Sequence, residues 1–143
     1  MADWDPHAFT LALLADLRAN DGVATSGPMA GRHLLILTTK GAKTGEPREA
    51  ILASTRDGDA YIVAGSKGGS PQHPSWFKNL EADPIVKIEA DGKVLEAKAV
   101  VAAGADRDVL WDRHVAANPA FADYEGKTEG RVIPMIRLEP ITK

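Results

Sequence analysis

Cysteine is absent from all 143 residues, which excludes disulfides, thiolate metal sites and a cysteine nucleophile. No stretch approaches the roughly 18 consecutive apolar residues of a membrane-spanning helix. Asp3, Asp5 and Asp16 stand where a secretory signal would carry basic residues, so the expected address is the cytoplasm. No G-x-G-x-x-G occurs, which removes the dinucleotide-binding fingerprint. His7, His33, His73 and His114 are scattered, with neither an H-x-H pair nor H-E-x-x-H. No metal site is expected from that spacing, and each histidine reads as a surface or capping residue. Internal repeats and low-complexity tracts are also missing.

What is present suits one globular domain, because a single hydrophobic core typically runs to roughly 100–150 residues. Apolar residues make up 44% of the chain and charged residues 26%, an ordinary globular balance. The net charge of −3 has the wrong sign for a surface that binds nucleic acid. Charge is unevenly spread along the chain. Residues 1–30 hold one base and four acids, residues 31–80 seven bases and four acids, and residues 81–143 nine bases and twelve acids. A locally basic middle between acidic flanks fits a small anionic ligand better than a long polyanion, which the flanks would repel.

Asp5-Pro6 followed by Phe9, Leu13, Leu14 and Leu17 predicts a helix over residues 6–20, stopped by Asn20-Asp21-Gly22. Residues 33–39 (HLLILTT) and 50–55 read as strands. Asp57-Gly58 lies between the second of these and the strand at residues 61–64, and Asp91-Gly92 joins residues 85–90 to 94–102. Both dipeptides are hairpin closers. Residues 75–83 (SWFKNLEAD) predict a short helix with Trp76 and Leu80 on one side. Residues 105–117 predict another, with Val109, Leu110 and Val115 available for burial, and residues 132–138 a final strand. Strands joined by tight hairpins argue for an antiparallel sheet or small barrel, since parallel strands need helical crossovers. The division expected is an N-terminal helix and loop over residues 1–30, then the main body over 31–143, one domain in all.

Nucleophile and phosphate motifs are incomplete. Lys43-Thr44 lacks the glycines of a P-loop. Ala64-Gly65-Ser66-Lys67-Gly68 has alanine where a hydrolase elbow needs its first glycine. Ser75-x-x-Lys78 and Lys43-Thr44-Gly45 occur in the reverse of the penicillin-recognising order, without S-D-N. A ligand cradle assembles more readily. Lys40, Lys43 and Arg48 surround Gly41 and Gly45, where amides and cations together can hold a phosphate. Ser66-Lys67-Gly68-Gly69 offers a further cation, and Pro74, Trp76, Phe77 and Asn79 bring an aromatic surface and an amide.

The runs LTTKGAKTGEPR (37–48), YIVAGSKGG (61–69), HPSWFKNLEADP (73–84) and NPAFADYEGKTEGRVIPMIRLEP (118–140) resemble the deazaflavin-dependent nitroreductase family of actinobacteria, in order over residues 30–140. The resemblance implies an α+β, mainly β fold, a split β-barrel of antiparallel strands with two or three flanking helices, of the FMN-binding split-barrel kind. It implies hydride transfer from reduced 8-hydroxy-5-deazaflavin, coenzyme F420, to a planar conjugated acceptor. Acceptors of that family include quinones, nitroimidazoles and enone or coumarin-type lactones such as aflatoxins. By similarity, Lys43, Thr44, Gly45 and Arg48 would hold the phosphate and acidic tail, with Lys67 nearby. Ala64, Gly65, Pro74, Trp76 and Asn79 would line the ring or ribityl chain. Ser66, Phe121 and Tyr124 would face the substrate, with Tyr124 as a proton donor. Ala42 stands where many relatives carry a base, and Phe121 and Lys127 where tyrosine is frequent, which puts nitroimidazole activation in second place.

The alternatives are a non-catalytic carrier or sensor on the same barrel, and an FMN-dependent reductase. The N-terminal helix could cover the pocket or touch a membrane, with simple core packing the expected arrangement. Oligomeric state is left open by the sequence.

Overall fold

The computed structural model describes residues 6–25, 34–66, 73–125 and 127–141. Helix α1 (Pro6–Ala19) is closed by Asp21 and Gly22 at φ 55° and 87°. There the Gly22 amide donates to the Leu17 carbonyl at 2.8 Å, the left-handed ending that glycine permits. The Asp16 carboxylate then accepts from the Thr25 amide at 2.8 Å and from Asn20 Nδ2 at 2.9 Å, turning the chain back toward the sheet.

Seven strands follow: β1 (Leu34–Lys40), β2 (Pro47–Ala53), β3 (Thr55–Asp57), β4 (Ala60–Ala64), β5 (Ile85–Ala90), β6 (Lys93–Val101) and β7 (Met135–Pro140). Helices α2 (Ser75–Ala82) and α3 (Gly104–Ala117) lie between them. A 3-10 turn (Pro119–Phe121) and the short α4 (Ala122–Glu125) precede β7. All pairings are antiparallel and the order is β2-β1-β5-β6-β7-β4-β3. The two edge strands, β2 and β3, are consecutive in the chain with Ser54 alone between them. Two Cα–Cα steps reach about 7 Å, so the sheet must curl until its edges meet at that corner. This is the split barrel that the resemblance implied.

Local chemistry explains most boundaries. Pro47 opens an edge strand, where a missing N–H leaves no ladder bond unmade. Asp91 and Gly92, at φ 53° and 75°, close β5 onto β6 as a two-residue loop of the kind that needs two left-handed residues. At the other hairpin the loop is Gly58-Asp59, with Asp57 still paired to Ala60. The single run expected over residues 50–55 is instead two strands broken at Ser54, because the corner sends Thr55 to the opposite edge. The last strand begins at Met135 rather than residue 132. Val132 is 68% exposed, and the Pro134 carbonyl is taken by the Gly65 amide at 2.9 Å.

Three apolar clusters fill the layers. The barrel interior holds Leu35, Leu37, Tyr61, Val63, Val86, Ile88, Ile136 and Leu138, plugged by Trp76, Phe77 and Leu80 of α2. On the outer face of β1 and β2, Leu13, Leu14 and Leu17 of α1 pack on Leu34 and Ile36. On the outer face of β4 and β7, Leu110 and Trp111 of α3 pack on Ile62, Ala64 and Met135. Strands β1 and β4 therefore read as unbroken apolar runs, since both of their faces are covered. Val109, expected to be buried, is 57% exposed, because α3 turns Leu110, Trp111 and His114 inward instead. His114 is fully buried, which corrects the surface role expected for it.

Candidate functional site

The β1–β2 connection is a tight loop. The Gly41 amide donates to the Glu46 carbonyl and the Gly45 amide to the Gly41 carbonyl, both at 2.8 Å. Gly45 sits at φ 75°, where glycine is favoured, and a Cβ on Gly41 would lie 2.9 Å from Thr44 Oγ1 and 3.1 Å from the Glu46 carbonyl oxygen, so a side chain there would displace the Thr44 hydroxyl. The loop is tied to α2 by one side chain. Asn79 Oδ1 accepts the Ala42 amide at 3.0 Å, and Asn79 Nδ2 donates to Thr39 Oγ1 at 3.1 Å. Asn79 and Thr39 are 8% and 2% exposed, and each end of the amide makes one bond that holds the loop to α2.

Between this loop and α2 opens a cleft of about 620 Å³, within the range of cofactor sites. Lys43, Thr44 and Arg48 line one wall, and Ser75, Trp76, Lys78 and Asn79 the other. Trp76 belongs to the barrel core and to the cleft at once. Thr44 Oγ1 accepts the Glu46 amide at 3.2 Å, which leaves its own O–H to donate to a ligand. Lys78 was not among the cofactor residues expected from sequence. Helical spacing is the signal that finds it, since residues 75, 76, 78 and 79 share one flank of α2. Two acids approach this basic wall. Glu46 pairs with Arg48 at 3.5 Å, and Glu49 with Arg18 of α1 at 2.6 Å. The described part of α1 does not line the cleft.

The other expected residues lie elsewhere. Gly45 faces a neighbouring groove with Lys40 and Lys87. Ala64 is buried in the α3-side core. Pro74 is buried at the start of α2. The Gly65 Cα abuts Pro134, so that a Cβ there would lie 2.7 Å from Pro134 Cγ. Tyr124 packs on Phe121 at 5.0 Å between ring centroids, and Phe121 stands edge-on to His114 at 4.5 Å. Neither Ser66 nor Tyr124 lines the cleft. Lys67 falls outside the described residues.

One residue that sequence reasoning missed organises the chain after β4. Arg131 donates from Nη1 to the Gly65 carbonyl and from Nη2 to the Ser66 carbonyl, at 2.9 and 2.8 Å. It also donates to His73 Nδ1 at 2.9 Å. Desolvation comes first among the causes that hold the His73 imidazole below its ordinary pKa, with the Arg131 charge next. Nothing local in the sequence marks Arg131, because its partners lie 58–66 positions away.

A profile described as F420H(2)-dependent quinone reductase matches residues 13–140. The F420H(2)-dependent quinone reductase Rv1261c of Mycobacterium tuberculosis (strain H37Rv) is 42% identical over 108 residues, 73% of this chain and 71% of that protein. A solved F420-H2 dependent reductase, FDR-A, superposes with a TM-score of 0.68 at 37% identity, covering 74% of this chain and 93% of that one. Another solved chain, described as a domain-swapped dimer, superposes with a TM-score of 0.71 at 32% identity, covering 94% and 100%.

Proposed function

The chain belongs to the F420H(2)-dependent quinone reductase family, and from that premise we propose that it reduces planar quinone-type acceptors with reduced F420 held in the cleft between the β1–β2 loop and α2. The observation that carries this reading is the meeting of Lys43, Arg48, Lys78 and the free Thr44 O–H beside the Trp76 ring. Cations and amides suit a phosphate and carboxylates, an indole edge suits a flat ring system, and the volume suits a drug-sized ligand. The donor set thus fits the group.

When bound, the reduced deazaflavin supplies a hydride to an electron-poor acceptor. The chain's own part is positioning and exclusion of water. Lys43 and Arg48 would hold the acidic tail, Thr44 would donate to its phosphate, and Trp76 would offer its ring to the flat ring system. Asn79 holds the loop at the spacing these contacts need. By the resemblance, Ala64, Gly65 and Pro74 would line the ring or ribityl chain, Lys67 would lie near the cofactor, and Ser66 would face the substrate. The proton that completes reduction would come from solvent or from Tyr124, which α4 carries against Phe121 outside the cleft wall. Enone and coumarin-type lactones, aflatoxins included, belong to the same acceptor class as quinones because each conjugates its electrophilic carbon to a carbonyl. Nitroaromatics stand behind them. Among the described residues no helix is long and apolar enough to cross a membrane, in keeping with a cytoplasmic reductase.

The test is a paired titration with F420 and FMN, followed by mixing with reduced F420 and menadione. Tight F420 binding and menadione-dependent loss of the reduced cofactor are expected. Binding without acceptor-dependent oxidation would make the protein a carrier, and a preference for FMN would replace the cofactor.

A further inference from the structure

Arg18, in the last turn of α1, grips two strands that do not touch each other. Its Nη2 donates to Glu49 Oε2 on β2 at 2.6 Å. Its Nε and Nη2 donate to Glu89 Oε1 and Oε2 on β5 at 2.9 and 2.8 Å. Glu49 lies opposite Thr38, and Glu89 opposite Ile36, on the β1 strand between them. The guanidinium therefore spans β1 on the face that α1 covers. Its hydrogen bond holds Glu89 below the ordinary carboxylate range.

Glu49 has a second setting, for it also lines the cleft, next to Arg48 on the same strand. Among the described residues it is the cleft's acidic lining group; the pleat turns its carboxylate to the α1 face, opposite to Arg48, behind the wall that Lys43, Arg48 and Lys78 share. An unpaired carboxylate behind that wall would repel, over about 10 Å, the anion that those three cations attract. The compensating charge comes from an element that is not part of the cleft wall.

We propose that Arg18 is a positioning residue acting through Glu49: docking of the N-terminal helix neutralises that carboxylate and thereby sets how strongly the cleft holds an anionic ligand. The proposal rests on the reading of the cleft as the seat of the cofactor's acidic tail. It ties occupancy of the cofactor site to the docked state of α1. A purely structural clasp would depend more on Glu89, which takes two of the three bonds, whereas the electrostatic role depends on Glu49.

The full chain and the variants R18Q, E49Q, E89Q and R18Q/E49Q are titrated calorimetrically with F420 and, separately, with inorganic pyrophosphate, at low and high salt. R18Q is expected to weaken both ligands roughly three- to tenfold at low salt, the size set by one unit charge acting over about 10 Å on a multivalent anion. At about 1 M salt, where charges are screened beyond roughly 3 Å, the difference closes. E49Q binds as tightly as the parent or more tightly. R18Q/E49Q returns to within about twofold of the parent, and E89Q stays within about twofold. A double variant as weak as R18Q, or an E89Q loss matching that of R18Q, overturns the proposal. Pyrophosphate separates the two readings. The expected order with pyrophosphate but no F420 binding sinks the proposed function alone, while equal F420 affinity in all variants sinks this inference alone.

Discussion

Arg131 Nη1 and His73 Nδ1 lie 2.9 Å apart, and because a guanidinium can only donate, the imidazole nitrogen facing it must accept. His73 is therefore neutral, with its proton on Nε2. Its ring meanwhile lies tilted at 49° against Phe77, 4.8 Å between centroids. One arginine thus joins the end of β4 to the residue two before α2.

At neutral pH, His73 is expected to show an unprotonated Nδ1 and a protonated Nε2, read from nitrogen-15 shifts of the imidazole. A protonated Nδ1 would break the assignment. Arg131→Lys, which cannot serve two carbonyls and a ring nitrogen together, should lower stability by about 1–3 kcal/mol, measured by urea unfolding.

Stability should fall in mild acid because of His114. Burial pushes its pKa down to about 4 from the ordinary 6.5, so the unfolded chain takes up the proton first. The contribution is complete above pH 6.5 and declines as pH drops from 6.5 to 4, amounting to about 3 kcal/mol. Desolvation shifts His73 in the same direction. Thermal melting across that window should show the slope, and His114→Phe should flatten it. An unchanged slope in the variant would place its origin elsewhere.

Asn79→Leu removes the partner of the Ala42 amide and of Thr39 Oγ1 together. A loss of about 1–3 kcal/mol in stability is expected, measured by urea unfolding. It should come with a higher KM for the reduced cofactor and a nearly constant kcat. An affected kcat with an unaltered KM would contradict the loop-holding role.

Lys43→Ala should reduce F420 affinity by about 1.5–3 kcal/mol, roughly ten- to a hundredfold, at low salt. The deficit should shrink as ionic strength rises. Fluorescence titration at two salt concentrations checks it, and an affinity equal to the parent's at low salt would remove Lys43 from the site.

Much of the fold was legible because its signals are local. Asp91-Gly92 and the Asp57–Asp59 region encode turns through backbone preferences that need no partner. Trp76 and Leu80, four residues apart, marked the buried side of α2, and Asp83-Pro84 its end. The cleft was legible in part: Lys43, Thr44, Arg48, Trp76 and Asn79 do converge. Lys78 enters the sequence reading only within an incomplete nucleophile motif and not in the cradle, although helical spacing places it beside them. The structure also gives Asn79 a loop-holding role beside its place on the cleft wall, since each end of its amide bonds the protein.

Composition, periodicity and turn chemistry determined the antiparallel character, most of the elements and the basic segment around the β1–β2 loop. Tertiary structure decided the break at Ser54, the burial of His114, the exposure of Val109 and Val132, and the partners of Arg18 and Arg131. The physical reason is one of range. A turn or a helical face depends on neighbours within a few residues, whereas the Arg18–Glu89 pair spans 71 positions and the Arg131–His73 pair 58, distances that only the curled sheet closes.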